Sequence, residues 1–294
     1  MDDIKLYTEP ELKKPYLIAA GPGTANVSLV ATTYLRDKLG AEPFAEIEST
    51  EPFSMSYDVS LEEGVINLIP TSLEERVENK FYYWKGDGEH DLIFFTGNAH
   101  PLPGKGLEFA GSVVDFASEF DVQGLYILGA YATDVTHRAD PQVTGMVSRR
   151  DLMDVLTTNG LGLAPSITFA HNLITWILIA AIERDIDAVG LIGELPRYAT
   201  VKPSMKVCKR LIETLAGILG IRDVLDLSDL DSFIEEEDSK MDAWIEELRN
   251  LPNKEAKEFL NYFEALEKEE NLITEEDKHR LIQDLEDFFK QRGG

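Results

Sequence analysis

Gly21-Pro22-Gly23-Thr24-Ala25-Asn26 follows a short apolar run and opens a helical pattern, an arrangement whose main-chain N–H groups can hold a phosphate. The turn lacks the dinucleotide fingerprint, because Asn26 stands where the third glycine belongs, and it has no Lys-Ser/Thr of a P-loop. A plain tight strand-to-helix turn is the preferred reading of these residues. Three further apolar runs end in Gly97, Gly129 and Gly193. In a parallel sheet these carboxyl ends share one edge, where open α/β folds bind ligands. Glu194 follows Gly193, with Tyr198 nearby, and is either a general base or a cap for the turn before Pro196. His100, in Gly97-Asn98-Ala99-His100-Pro101, and His137, in Asp134-Val135-Thr136-His137-Arg138, also follow strand ends. They could shuttle protons or bind a metal, yet no pair has ligand spacing such as His-x-x-x-His. No catalytic set, metal or cofactor is therefore assigned. The candidate ligand or partner surface is Gly21, Gly23, Thr24, Asn26, Gly97, Asn98, His100, Gly129, Glu194 and Tyr198.

Nucleophiles are scarce. There is no Gly-x-Ser-x-Gly elbow. Cys208 lies in the apolar stripe Met205, Cys208, Leu211, Ile212, Leu215 and Leu219, where an inert buried thiol is expected. As the single cysteine it also rules out an intramolecular disulfide.

The elements that must position these residues alternate along the first two thirds of the chain. Tyr16 to Ala20 reads as a strand, Asn26 to Leu39 as a helix closed by Gly40, and Phe44 to Ile47 as a second strand. Val65 to Ile69 and Lys80 to Trp84 read as antiparallel strands. Leu92 to Phe95, Leu125 to Leu128 and Ala188 to Ile192 read as buried strands, and Leu107 to Ala117 as a helix. Between Tyr131 and Thr168 the pattern loosens, leaving one helix near Arg150 to Leu156. Ala170 to Glu183 is apolar nearly all round and has His171 at its edge. A sheet covers only one side of such a helix, so Trp176, Ile177 and Ile179 are candidates for a subunit interface. Pro203 stands where the first residue of the next helix belongs.

Composition narrows the classes of function. The 294 residues are 44% apolar and 28% charged, as in a globular chain. Fifty-four acids against 28 bases give −26, which argues against nucleic acid and anionic membranes as partners. No apolar run approaches the roughly 18 residues of a membrane span. Met1-Asp2-Asp3-Ile4 has no signal-peptide character, so a cytoplasmic location is expected. From Arg222 onward there are 23 acids and 10 bases, half the net charge in a quarter of the chain. Three amphipathic helices are expected there, near Leu230–Asn250, Lys254–Glu269 and Thr274–Gln291. This divides the chain into an α/β domain, 1–222, and an acidic helical tail, 223–294. The tail either packs on its own core or serves oligomerisation or partner docking.

The order of motifs resembles the proteasome assembly chaperone family, in its archaeal and bacterial single-protein branch, sometimes labelled ATP-grasp-related. The resemblance rests on Pro15 to Leu39, Phe81-Tyr82-Tyr83 and Asp91 to Pro101. Its most specific part is Gly190-Leu191-Ile192-Gly193-Glu194-Leu195-Pro196-Arg197-Tyr198, followed by the helix from Pro203 to Gly220. It implies a three-layer α/β/α domain similar to nucleoside-phosphorylase-like folds, here with a helical C-terminal appendage. It also implies a homo-oligomer, with a trimer favoured, and a non-enzymatic chaperone or scaffold role toward proteasome subunits or another protein with a basic surface. Proteasome-docking members end in a hydrophobic residue, Tyr and one more residue; this sequence ends Gln291-Arg292-Gly293-Gly294. The alternative from the residues alone is an enzyme or sensor that takes a nucleotide or other small anion at the strand ends.

Overall fold

The computed structural model describes residues 3–48, 57–62, 65–70, 78–102, 104–165 and 172–272. In chain order its elements begin β1 (Asp3–Leu6), β2 (Tyr16–Ala20), α1 (Val27–Lys38), β3 (Glu42–Glu48), β4 (Tyr57–Glu62), β5 (Val65–Pro70), β6 (Asn79–Trp84) and β7 (Leu92–Gly97). Then come α2 (Gly106–Ser118), β8 (Gly124–Thr133), β9 (Val143–Val147), α3 (Met153–Thr158), β10 (Gly162–Leu163) and α4 (Leu173–Glu183). The chain continues through β11 (Ala188–Pro196) and α5 (Met205–Leu219) to α6 (Asp229–Arg249) and α7 (Lys254–Leu272).

Nine strands form one sheet in the order β1-β3-β6-β7-β2-β8-β11-β9-β10. Its centre, β7-β2-β8-β11, is parallel. Antiparallel strands flank the centre: β6 pairs with β7 on one side and β9 with β11 on the other. Period-two alternation sorts the core onto two faces. Leu17, Ile93, Phe95, Leu125 and Ile127 meet α2 and α4. Ile18, Leu92, Phe94, Leu128 and Leu191 meet α1 and α5. The result is a three-layer α/β/α domain carrying a helical C-terminal part.

Local chemistry sets the helix ends. The Ser204 hydroxyl accepts from Val207 N–H at 3.4 Å and caps α5, so Pro203 lies just outside the helix it was expected to start. The Asn172 side chain does the same for α4 through Thr175 N–H, at 3.0 Å.

Four further readings of the sequence change. Val65–Pro70 pairs with β4 in a separate two-stranded sheet, whereas β6 lies between β3 and β7, so the two strands read as antiparallel are not partners. The loose region after Tyr131 contains β9; its pattern is broken by Gly145, whose missing Cβ leaves room for Leu156 of α3. β8 and β11 also continue past Gly129 and Gly193, to Thr133 and Pro196. Finally, Ile177 is fully buried in the chain's own core and takes no part in an outer surface, while Trp176 and Ile179 are half-buried and Ile182 is 47% exposed. His171 and the helix expected over Thr274–Gln291 lie outside the described residues.

Candidate functional site

The extended ends of β8 and β11 build the site. Their register runs Ala130↔Gly193 through Thr133↔Pro196, carrying two loops beyond the other parallel strands. Between these loops, the start of α5 and the side of α6 lies a cavity of about 330 Å³. Val135, His137 and Pro141 line it from the first loop, and Glu194, Pro196 and Tyr198 from the end of β11. Lys206 and Val207 of α5, with Glu237, Met241 and Trp244 of α6, form the facing wall, and Val201 and Lys202 also line the space.

His137 joins this edge to the tail. It is 8% exposed, and its ring stacks on Phe263 of α7 with centroids 5.9 Å apart. Its main-chain N–H donates to the Tyr198 hydroxyl at 2.8 Å, and Nδ1 lies 3.0 Å from the same oxygen. A carboxylate only accepts, so Nε2–H donates to Asp242 of α6 at 3.0 Å. Arg138 donates to Asp242 at 2.6 Å and to Glu267. Lys206 Nζ binds the His137 carbonyl at 2.7 Å and Asp238 at 2.6 Å. Tyr198 also packs edge-on against Phe259, centroids 5.5 Å apart, and Phe259 meets Trp244. With both ring nitrogens engaged and one face covered, His137 acts as a clamp rather than as a free base.

Electrostatics follow these contacts. Burial opposes ionisation of Asp242, but hydrogen bonds from Arg138 and His137 outweigh it and hold the carboxyl below its usual range. Tyr262 and Arg197 donate to Asp134 and lower it too. Tyr262 is pushed up to about 12, by burial first and then by its bond to Asp134. Glu237 moves the other way: burial raises it, although Met205 N–H donates to it at 2.9 Å. Burial, reinforced by the charge of Glu237, pushes the Cys208 thiol up to about 12, so this cysteine is inert.

The structure splits the residues expected to form one strand-end surface. Glu194 and Tyr198 reach the cavity; Glu194 also accepts from the Tyr131 hydroxyl at 3.0 Å. Gly21 and Gly97 lie elsewhere on the edge, under Leu173. A Cβ on Gly21 would come within 3.0 Å of Leu173 Cδ2, and one on Gly97 within 2.8 Å. Gly129 makes room for Ile192 in the same way. Gly23, Thr24 and Asn26 form the strand-to-helix turn; Ala25 and Asn26 take left-handed angles, and the Asn26 side chain caps nothing. Asn98 accepts from Glu78 N–H through its side chain at 2.9 Å. Burial lowers the pKa of His100, and its Nδ1 has no hydrogen-bond partner among the described residues.

Asp242, Phe259 and Phe263 were not anticipated as site residues. The apolar seam of Phe259 and Phe263 is visible in the sequence, but its destination is not, and Asp242 lies 105 residues from His137. Among the described residues no group of His, Cys, Asp or Glu is placed to hold a metal, and no helix is long and apolar enough to cross a membrane.

Residues 17–248 match the PAC2 family. No curated protein sequence matches the chain. Among solved structures, an archaeal proteasome activator from Pyrococcus furiosus, PbaB, is 23% identical, with a TM-score of 0.67 over 82% of this chain and 97% of its own. A proteasome-assembly chaperone homologue from Mycobacterium tuberculosis is 17% identical, with a TM-score of 0.62 over 83% and 99%. A Mycobacterium tuberculosis protein of unknown function is 17% identical, with a TM-score of 0.71 over 95% and 92%. At these identities the likeness is one of fold.

Proposed function

The chain belongs to the PAC2 family, and on that premise we propose that it is a chaperone-like scaffold that binds other proteins and turns over no substrate of its own. Family membership over residues 17–248 is the observation that carries this reading, since that span takes in the parallel centre of the sheet, the cavity and nearly all of α6. Two fold neighbours bear on the partner: one is described as a proteasome activator and the other as a homologue of proteasome-assembly chaperones. The partner proposed here is a proteasome α-type subunit or another protein with a basic surface. A net charge of −26 favours such a surface and makes the affinity fall as salt rises. In this proposal residues 1–222 carry the fold and the tail from 223 completes the binding surface, in the cytoplasm.

The same reading includes a homo-oligomer, with a trimer favoured, assembled through the outer side of α4, where Ile179 is half-buried and Ile182 exposed. Light scattering at micromolar concentration should give about three times 33.0 kDa; a monomer removes this part. The partner is tested by capture from an extract of the native organism at low and high salt, with the bound proteins identified by mass spectrometry. Capture at low salt and release at high salt support the proposal. No captured protein under either condition contradicts it.

One observation favours a second reading. The cavity sits at the carboxyl ends of two parallel strands, where α/β folds place small ligands. A thermal-shift screen with nucleotides and nucleosides separates the two: a specific rise of about 4 °C or more would favour a ligand sensor.

A further inference from the structure

Two features of the cavity specify what it can hold. Its volume, about 330 Å³, is at the small end of ligand sites, and its apolar lining continues onto solvent-exposed surface. Val201 is 90% exposed and Trp244 40% exposed, so an occupant would contact a wet apolar rim as well as a pocket. Such a shape takes one or two side chains of a longer molecule.

Charge gives the second constraint. Two of the lining lysines are already neutralised, Lys206 by Asp238 and Lys240 by Glu236. Lys202 has no ion pair among the described residues. On the acidic side, Glu237 receives a main-chain N–H and Glu194 a tyrosine hydroxyl, and neither makes an ion pair among the described residues. Asp140 lines the same space. Asp140, Glu194 and Glu237 stand without ion pairs against Lys202 alone among the described residues, so the excess charge around the apolar centre is negative, in a chain that is itself at −26.

We infer that this cavity docks a short segment of a protein partner that presents an apolar side chain beside a cationic one. The inference rests on the protein-binding reading and adds the chemistry of the partner to it. An apolar anchor fills the space against Val207, Met241 and Trp244, and a flanking Arg or Lys meets Glu194 or Glu237.

The test uses the full chain and short fluorescein-labelled peptides centred on Arg-Leu-Arg, Glu-Leu-Glu or Arg-Ala-Arg, with anisotropy as the readout. The Arg-Leu-Arg peptide should bind saturably, and each of the other two at least roughly tenfold more weakly. Val201→Arg should weaken Arg-Leu-Arg by roughly tenfold and Lys202→Glu should tighten it a few-fold. Both positions are exposed, so a circular dichroism spectrum like that of the parent chain is expected and confirms the fold. Equal binding of all three peptides, no saturable binding, or an affinity unmoved by Val201→Arg would overturn the inference. So would displacement of the peptide by a nucleotide, or self-association abolished by Val201→Arg, which would assign the cavity to a small ligand or to a second copy. Its failure differs from failure of the scaffold reading. Capture of whole proteins unaffected by Val201→Arg keeps the scaffold and removes the cavity assignment, whereas peptide binding with nothing captured does the reverse.

Discussion

The parallel sheet has one carboxyl edge but two kinds of ending. At β2 and β7 the strands stop near Gly21 and Gly97, and Leu173 packs into the room the glycines leave. At β8 and β11 the strands run on past Gly129 and Gly193, and their loops stand clear of the sheet, roofed by α6 and α7. Both endings show the same local sequence, an apolar run closed by glycine. The first uses glycine to admit a side chain of the chain itself. The second uses Gly193 to let Val207 of α5 approach, at 2.6 Å from where a Cβ would stand, and keeps its hollow farther out. A glycine at a strand end is thus a statement about close packing first, and about ligands only when space remains.

The clamp between the second ending and the tail offers the largest effect. Phe263 is 1% exposed and stacks on His137, so Phe263→Ala should cost about 3 kcal/mol or more. The loss should appear as a lower urea midpoint and as faster proteolysis within α6 and α7. An unchanged midpoint would mean that the tail is not held by this contact.

The first ending can be broken by filling it. A valine at Gly97 would press on Leu173 and on Asn79 Oδ1, 2.8 and 2.9 Å from its Cβ, and should destabilise the chain by about 1–3 kcal/mol. Gly23→Val, two residues past Gly21, has nothing within 4 Å of its Cβ and extended backbone angles. Its cost should stay within about 0.5 kcal/mol. Similar costs at the two positions would show that the edge is not packed as described.

Among the substitutions expected to destabilise, Asp242→Asn gives the smallest change, because the carboxylate is 46% exposed and solvent screens its pairs: about 0.5–1 kcal/mol at neutral pH. The sign with pH is fixed by the lowered pKa of Asp242 in the folded chain. Its contribution is present above the ordinary carboxylate range and is lost as pH falls through the depressed folded value. The stability gap between parent and variant should therefore close in acid; a gap that widens there would contradict the pairing.

These contrasts also explain what the sequence made legible. Leu92 to Phe95 and Leu125 to Leu128 are buried on both faces, and an unbroken apolar run reports that directly. The later part of β8, Gly129 to Thr133, is half-exposed, so its run is diluted and Gly129 looks like a terminus. β9 was obscured by Gly145, which serves Leu156 of a helix that follows it. In the site, Glu194 and Tyr198 were visible because they stand just past a strong strand. The partners of His137 were not, because hydrophobic periodicity identifies the seam of α7 without saying which loop Phe263 will cover. The outward side of α4 was read from the same periodicity, which could not tell that Ile177 faces the core.

Protein binding is proposed at the β8–β11 ending, whereas the β2–β7 ending is filled by packing. The most direct test of this contrast is quantitative capture of partner proteins at low salt by the parent chain, Val201→Arg and Gly23→Val, each confirmed as folded. The prediction is that Val201→Arg loses most of the captured protein and Gly23→Val keeps it. Capture retained by Val201→Arg and lost by Gly23→Val would contradict the account, moving the working surface to the Gly21–Asn26 turn.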